Sequence, residues 1–122
     1  MISSDFANKF SNDWIAAWNS HDIETILSHY TDDFTLESPI AAQAVPDSGG
    51  ILKGKAAVGK YWSERLQVMT NLFFEVHEVL TGISGLTIYY INKGSGRKAA
   101  EVFFFNEDGK VAKSFVYYAE LR

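Results

Sequence analysis

The sequence predicts an α+β domain: a curved antiparallel sheet curled around a pocket, with three helices from the N-terminal half. Three observations carry this expectation. Apolar residues recur at helical spacing in the first half, with Phe6, Phe10, Trp14 and Trp18 each four apart. From Phe34 the period drops to two, and later runs rich in β-branched and aromatic residues alternate with the turn sequences TGISG, NKGSG and NEDG. Aromatic side chains are also abundant, three Trp, six Tyr and nine Phe in 122 residues. Rings of about 150–250 Å² each are hard to hide in one small core, so some are expected to line a cavity or an interface.

The first helix is expected over residues 4–18, its stripe widened by Ile15 and Ala17. Asn19-Ser20 breaks it, and Ser20 is a candidate N-cap for a second helix over residues 23–30, with Asp22 and Glu24 at the positive end of its dipole. Thr31-Asp32-Asp33 reads as the turn that ends it. Phe34, Leu36 and Ser38 then share one strand face, and Thr35 and Glu37 the other. The run PIAAQAVPDSGG reads as a long uninterrupted loop, and loops of that kind often act as lids; residues 40–50 are the candidate lid. A third helix over residues 55–69 turns Val58, Tyr61, Trp62, Leu66 and Met69 inward and leaves Lys60, Glu64 and Arg65 solvated. Four antiparallel strands follow, over residues 72–80, 86–91, 99–105 and 111–121. With no repeat or linker, residues 1–122 read as a single domain.

Composition narrows the function classes. The chain is 47% hydrophobic and 21% charged, as soluble globular proteins are. A net charge of −4 argues against a nucleic-acid partner, and the one basic cluster, Lys93, Arg97 and Lys98, reads as a solvated hairpin tip. The lack of cysteine excludes disulfides and thiolate metal sites. His21, His29 and His77 form no ligand set, so no metal and no cofactor are expected. No apolar leader or membrane-length stretch is present, from which no membrane partner and a cytoplasmic location are expected. Residues 102–105 and 115–118, with Tyr89 and Tyr90, are apolar on both strand faces. Helices can cover only one face of such a sheet; a second copy is the expected cover for the other, making a homodimer through the outer sheet face.

The WxxxW helix, the HDIETILSHYTDDF segment, the GKAAVGKYW helix and the FFFNEDGKV hairpin resemble the SnoaL-like branch of the nuclear transport factor 2-like superfamily, which includes the ketosteroid isomerases. The resemblance covers nearly the whole chain. It implies a cone-shaped, cystatin-like α+β barrel with a pocket between the helices and the concave sheet face, and a dimer through the convex face. Carried over from the isomerases, the general-base position falls on Ser38, which cannot accept a proton near neutral pH without a base of its own. The oxyanion-hole tyrosine falls on Trp14, the second oxyanion donor on Glu101, and two supporting tyrosines on Tyr30 and Trp62. One carboxyl of that constellation is present, which argues against ketosteroid isomerase activity.

Glu101 is the candidate catalytic residue. Alternation groups it with Ala99, Phe103 and Phe105, on the face the family turns toward its pocket. A carboxyl among aromatic rings loses hydration, which raises its pKa and suits general acid work or a hydrogen bond to a ligand; a structural tie to Trp14, Tyr30 or Tyr118 is the alternative. Glu37, on the opposite strand face from Leu36, reads as a solvated or interfacial carboxylate. The expected pocket wall is Trp14, Trp18, Tyr61, Trp62, Phe103 and Tyr118, completed by Tyr30, Phe34, Leu36, Ser38, Ser114 and Val116. Flat apolar walls with few polar tips favour a small hydrophobic, ring-bearing molecule, either bound only or bound and transformed, without a cofactor. If instead these rings fill the cone, the chain is a non-catalytic dimeric domain for protein association, and cavity volume separates the two readings.

Overall fold

Ser3 starts the first helix: its hydroxyl accepts the Phe6 amide at 3.1 Å, and α1 runs Ser4–Ser20 in a computed structural model that describes residues 1–120. The helix ends where His21 turns left-handed at φ 61°. It is one half-turn longer than expected because the Ser20 hydroxyl donates back to the Ala17 carbonyl at 2.6 Å, belonging to α1 rather than capping the next helix. Asp22 is the N-cap of α2 (Ile23–Leu27), accepting from the amides of Glu24 and Thr25. The second helix therefore stops short of Tyr30. That residue opens β1 (Tyr30–Glu37), drawn into the sheet by pairing with Val111, whose amide donates to the His29 carbonyl at 2.8 Å. The turn-like Thr31-Asp32-Asp33 is absorbed as an irregularity in the strand between Tyr30 and Thr35.

The expected long loop is a second correction. Ser38 caps a short helix, α3 (Pro39–Ala44), with proline in its first turn. An N-cap serine followed by proline is a helix-start signal, and the Gly-Gly and second proline downstream obscured it. The chain then turns through Gly49 and Gly50, both at positive φ, into β2 (Ile51–Lys53). The amide of Ser38 donates to the Gly50 carbonyl at 2.9 Å, which ties the two ends of the excursion together. Gly50 also sits where an added Cβ would lie 3.0 Å from the Ser38 carbonyl oxygen.

The long helix α4 (Gly54–Val68) lies against β1, and α1 lies against β3. The last four strands are β3 (Phe74–Thr81), β4 (Gly85–Asn92), β5 (Arg97–Phe105) and β6 (Val111–Tyr118); the last strand ends at Tyr118 and the chain bends at Ala119 and Glu120, short of the expected extension, whose final residue 121 falls outside the described residues. The six strands form one curved, unclosed sheet in the order β2-β1-β6-β5-β4-β3. Four of the five neighbouring pairs are antiparallel, but β1 pairs parallel with β6, so the sheet is mixed rather than wholly antiparallel. A parallel pair needs a long crossover, and the intervening helix and hairpins supply it. None of the described helices is long and apolar enough to cross a membrane.

Register fixes which side chains face the helices. On the concave side, the cross-strand row Leu86–Phe103–Ser114–Leu36 runs beside Val79–Ile88–Glu101–Val116, then Val76–Tyr90–Ala99–Tyr118, then Phe74–Asn92–Arg97. The convex side carries Leu80–Thr87–Val102–Phe115 and Tyr89–Ala100–Tyr117. The core lies between the concave rows and the helices. Trp14, Phe34, Ile88 and Phe103 are wholly inaccessible there.

Candidate functional site

Glu101 stands in the middle of the concave face, 4% exposed. Its two oxygens are both engaged: Tyr90 Oη donates to Oε1 at 3.2 Å and Ser114 Oγ donates to Oε2 at 2.7 Å. Both partners follow from register. Tyr90 faces Ala99 and Ser114 faces Phe103, so each is the diagonal neighbour of Glu101 on an adjoining strand, within reach of a long side chain. Burial raises the Glu101 pKa from its ordinary 4.5 to about 7, with the Ser114 and Tyr90 hydrogen bonds opposing the rise. The carboxyl therefore exchanges its proton close to neutral pH.

The surrounding phenols stay protonated. Burial, followed by the charge of Glu101, pushes Tyr90 well above its ordinary 10. The same two causes, in the same order, raise Tyr118. Tyr61 is raised by burial, partly offset by the Ser38 side chain beside it. Each is accordingly a hydrogen-bond donor at any pH the fold tolerates.

A cavity of about 220 Å³ opens beside Glu101. Of the residues expected to form a pocket, Trp18, Leu36, Ser38, Tyr61, Trp62, Val116 and Tyr118 line it, together with Glu101. Trp14, Tyr30, Phe34, Phe103 and Ser114 do not: the corresponding expectation is corrected for these five, which lie behind the wall. Trp14 Nε1 donates to Tyr30 Oη at 2.9 Å. The Trp14 ring stands edge-on to Phe103 and Tyr90 and stacks on Phe74. Tyr30 and Phe34 pack on Trp62. The aromatic surplus is thus split, one set filling the apex of the cone and another walling the cavity. Ser114 reaches the site through Glu101. The alternative tie of Glu101 to Trp14, Tyr30 or Tyr118 is replaced by Tyr90 and Ser114.

Several lining residues lay outside the sequence reading. Phe74, Tyr90 and Asn92 face the cavity, beside the expected Ala99, because they continue the concave rows, a placement that needs the register as well as the period. Arg65 and Arg97 also line it, although both were expected in solvent. Arg65 is at the edge of the buried stripe of α4, and Arg97 is the first residue of β5 rather than part of the hairpin tip. Trp18 carries a polar anomaly: its indole Nε1 is buried without a hydrogen-bond partner among the described residues, while its ring stands nearly perpendicular to that of Trp62.

Of the other candidates, Ser38 is 4% exposed and caps α3, accepting the Ala41 amide at 3.3 Å. Glu37 points to the convex side, in the row of Phe115. His21 Nε2 lies 2.7 Å from the carbonyl oxygen of Leu72, a cavity-lining residue, and His77 Nε2 lies 3.8 Å from Glu75 Oε1; neither histidine itself lines the cavity.

A curved sheet with helices across its concave face and a lined cavity between them defines the nuclear transport factor 2-like, cystatin-like architecture. The profile of the SnoaL-like domain matches residues 12–114, and the chain belongs to the SnoaL-like family. A SnoaL-like protein of unknown function from Burkholderia thailandensis is 43% identical, with 98% of each chain covered and a TM-score of 0.93. The epoxide hydrolase/cyclase-like enzyme SalBIII, of pyran ring formation in salinomycin, is 18% identical over 98% of this chain and 95% of its own, at a TM-score of 0.73. AclR, a putative hydroxylase from Streptomyces galilaeus, is 17% identical over 96% and 91%, at 0.72. The latter two share the fold. No curated protein matches the chain.

Proposed function

We propose that the chain binds a small, largely apolar, ring-bearing compound in the cavity between α4 and the concave sheet face, with Glu101 as its acid or anchoring group. The observation that carries this reading is a buried carboxyl at the wall of an open cavity, held by two hydroxyls and poised near pH 7. Such a group donates a proton to a ligand oxygen or takes one from it with little free-energy difference. The volume supports a ligand over a filled cone. An engineered protein cavity of about 150 Å³ takes up benzene, and about 220 Å³ here admits one or two rings. Proteins that share only the fold include an epoxide hydrolase/cyclase-like enzyme, so the architecture can host chemistry. Ser38, Tyr61 and Tyr118 supply hydroxyls along the wall, able to orient the ligand against Glu101.

The test is a thermal-shift screen of the wild type and Glu101→Gln against neutral ring compounds bearing a hydroxyl or carbonyl. A ligand at a hundred times its Kd stabilises a fold by about 2.7 kcal/mol. A shift in the wild type that Glu101→Gln loses supports the reading. No shift across the panel contradicts it.

We also propose that the convex face pairs with a second copy of the chain. Leu80, Val102, Phe115, Tyr89 and Tyr117 share that face; Leu80 is 54% and Tyr117 62% exposed. Such a contiguous apolar surface is a cost to a monomer. Sedimentation at micromolar concentration should give a dimer, and a monomer would overturn the pairing.

A further inference from the structure

Resting on the pocket reading above, we infer that the ligand carries a carboxylate, or an equivalent planar anion, bound by the guanidinium groups of Arg65 and Arg97. The two arginines enter the cavity wall from different layers, Arg65 from α4 and Arg97 from the start of β5. Neither has a carboxylate partner among the described residues. The side-chain contact of Arg65 is to the Met69 sulfur at 3.1 Å, a weak acceptor. Arg97 lies over the Tyr118 ring, with its guanidinium carbon 5.8 Å from the ring centre. Among the described residues no hydrogen bond or ion pair engages its N–H fork.

The charge pattern is local. The whole chain carries a net charge of −4, yet the cavity wall contains two arginines against one carboxyl among the described residues. That carboxyl, Glu101, is taken by Tyr90 and Ser114, so it is not a counter-ion for either guanidinium. Of the eight lysines, Lys9, Lys55, Lys60 and Lys93 each face a carboxylate on the surface. Arginine is the side chain suited to this task, because its planar fork matches the two oxygens of a carboxylate. Asn92 and Ser95 line the same cavity as Arg97 and add neutral polar groups to it. A ligand with an anion held by the arginines and an apolar ring against Trp18, Trp62 and Phe74 satisfies both parts of the wall.

The test uses acid–amide pairs that differ only in charge: benzoate and benzamide, cinnamate and cinnamamide, naphthoate and naphthamide. Titration calorimetry at about pH 6 keeps these acids ionised and Glu101 largely protonated. At least one acid should bind roughly tenfold or more tightly than its amide, as expected for a charge-assisted contact. Its affinity should fall as salt is raised while that of the amide holds. Arg65→Gln and Arg97→Gln should each erode the preference, with the affinity for the amide kept as the control on folding. An amide that binds as tightly as its acid overturns the inference and leaves the pocket reading standing. A preference for the acid that survives both substitutions overturns the assignment to these arginines. Binding of neither member of any pair overturns the inference and the pocket reading together.

Discussion

Replacing Glu101 by Gln isolates the ionisation of one buried group. The amide keeps the shape of the carboxyl, and because Tyr90 and Ser114 bring hydroxyls that donate or accept, it can remain hydrogen-bonded to both. The wild-type carboxyl has a folded pKa of about 7 against an ordinary 4.5. Between those values the unfolded chain releases its proton and the folded one keeps it, so the folded state binds more protons and stability falls as pH rises. The contribution is fully present below pH 4.5 and lost as pH rises through about 7. At 1.36 kcal/mol for each pKa unit, the difference is on the order of 3 kcal/mol; full burial of Glu101 leaves little solvent screening to reduce it. Urea unfolding of both proteins from about pH 4 to pH 9 measures it directly. The stability of Glu101→Gln relative to wild type should climb by roughly 3 kcal/mol across that window and level off above neutrality. A difference that does not change with pH would refute the reasoning, since it would mean the carboxyl ionises as easily inside the fold as outside.

Three further outcomes follow from the same geometry. Ser114→Ala removes the 2.7 Å donor to Glu101; it should destabilise the protein by about 1–3 kcal/mol, more at pH 8 than at pH 5 because the bond favours the ionised carboxyl, as read by urea unfolding at the two pH values. Trp14→Phe should cost about 1 kcal/mol more than Trp18→Phe, because the Trp14 indole bonds to Tyr30 whereas the Trp18 indole has no acceptor to lose; paired thermal melts compare them. Gly85→Ala should lower stability by about 1–3 kcal/mol in chemical denaturation, since its new Cβ would overlap the Phe103 carbonyl oxygen on the neighbouring strand.

Long-period patterns were legible in the sequence and local competitions were not. The Phe6-to-Trp18 stripe gave α1, and the alternation of Ala99, Glu101 and Phe103 put Glu101 on the concave face, because each pattern is set by burial over many residues. The helical spacing of Ile23, Ile26 and Leu27 predicts a helix that reaches Tyr30, yet parallel pairing with β6, invisible locally, claims that residue for the sheet. Ser38-Pro39 was legible as a helix start and was outweighed by the glycines beyond it. At the site, the apolar wall came from composition and period, but its split into a filled apex and an open cavity depends on how Trp14 stacks on Phe74 and meets Phe103 edge-on. The arginines were missed for a physical reason: a long side chain rooted at the edge of a buried stripe can carry its charge either to solvent or to a cavity mouth, and spacing does not distinguish the two.

The central assertion is that Glu101 is a ligand-facing carboxyl titrating near neutrality, and a carbon-detected NMR titration of its side chain tests it most directly. With the protein free, the midpoint should fall near the value of about 7 set by its burial, and saturation with a bound ring compound should move both its chemical shift and its midpoint. A midpoint at the ordinary 4.5, unmoved by a compound that demonstrably binds, would contradict the account.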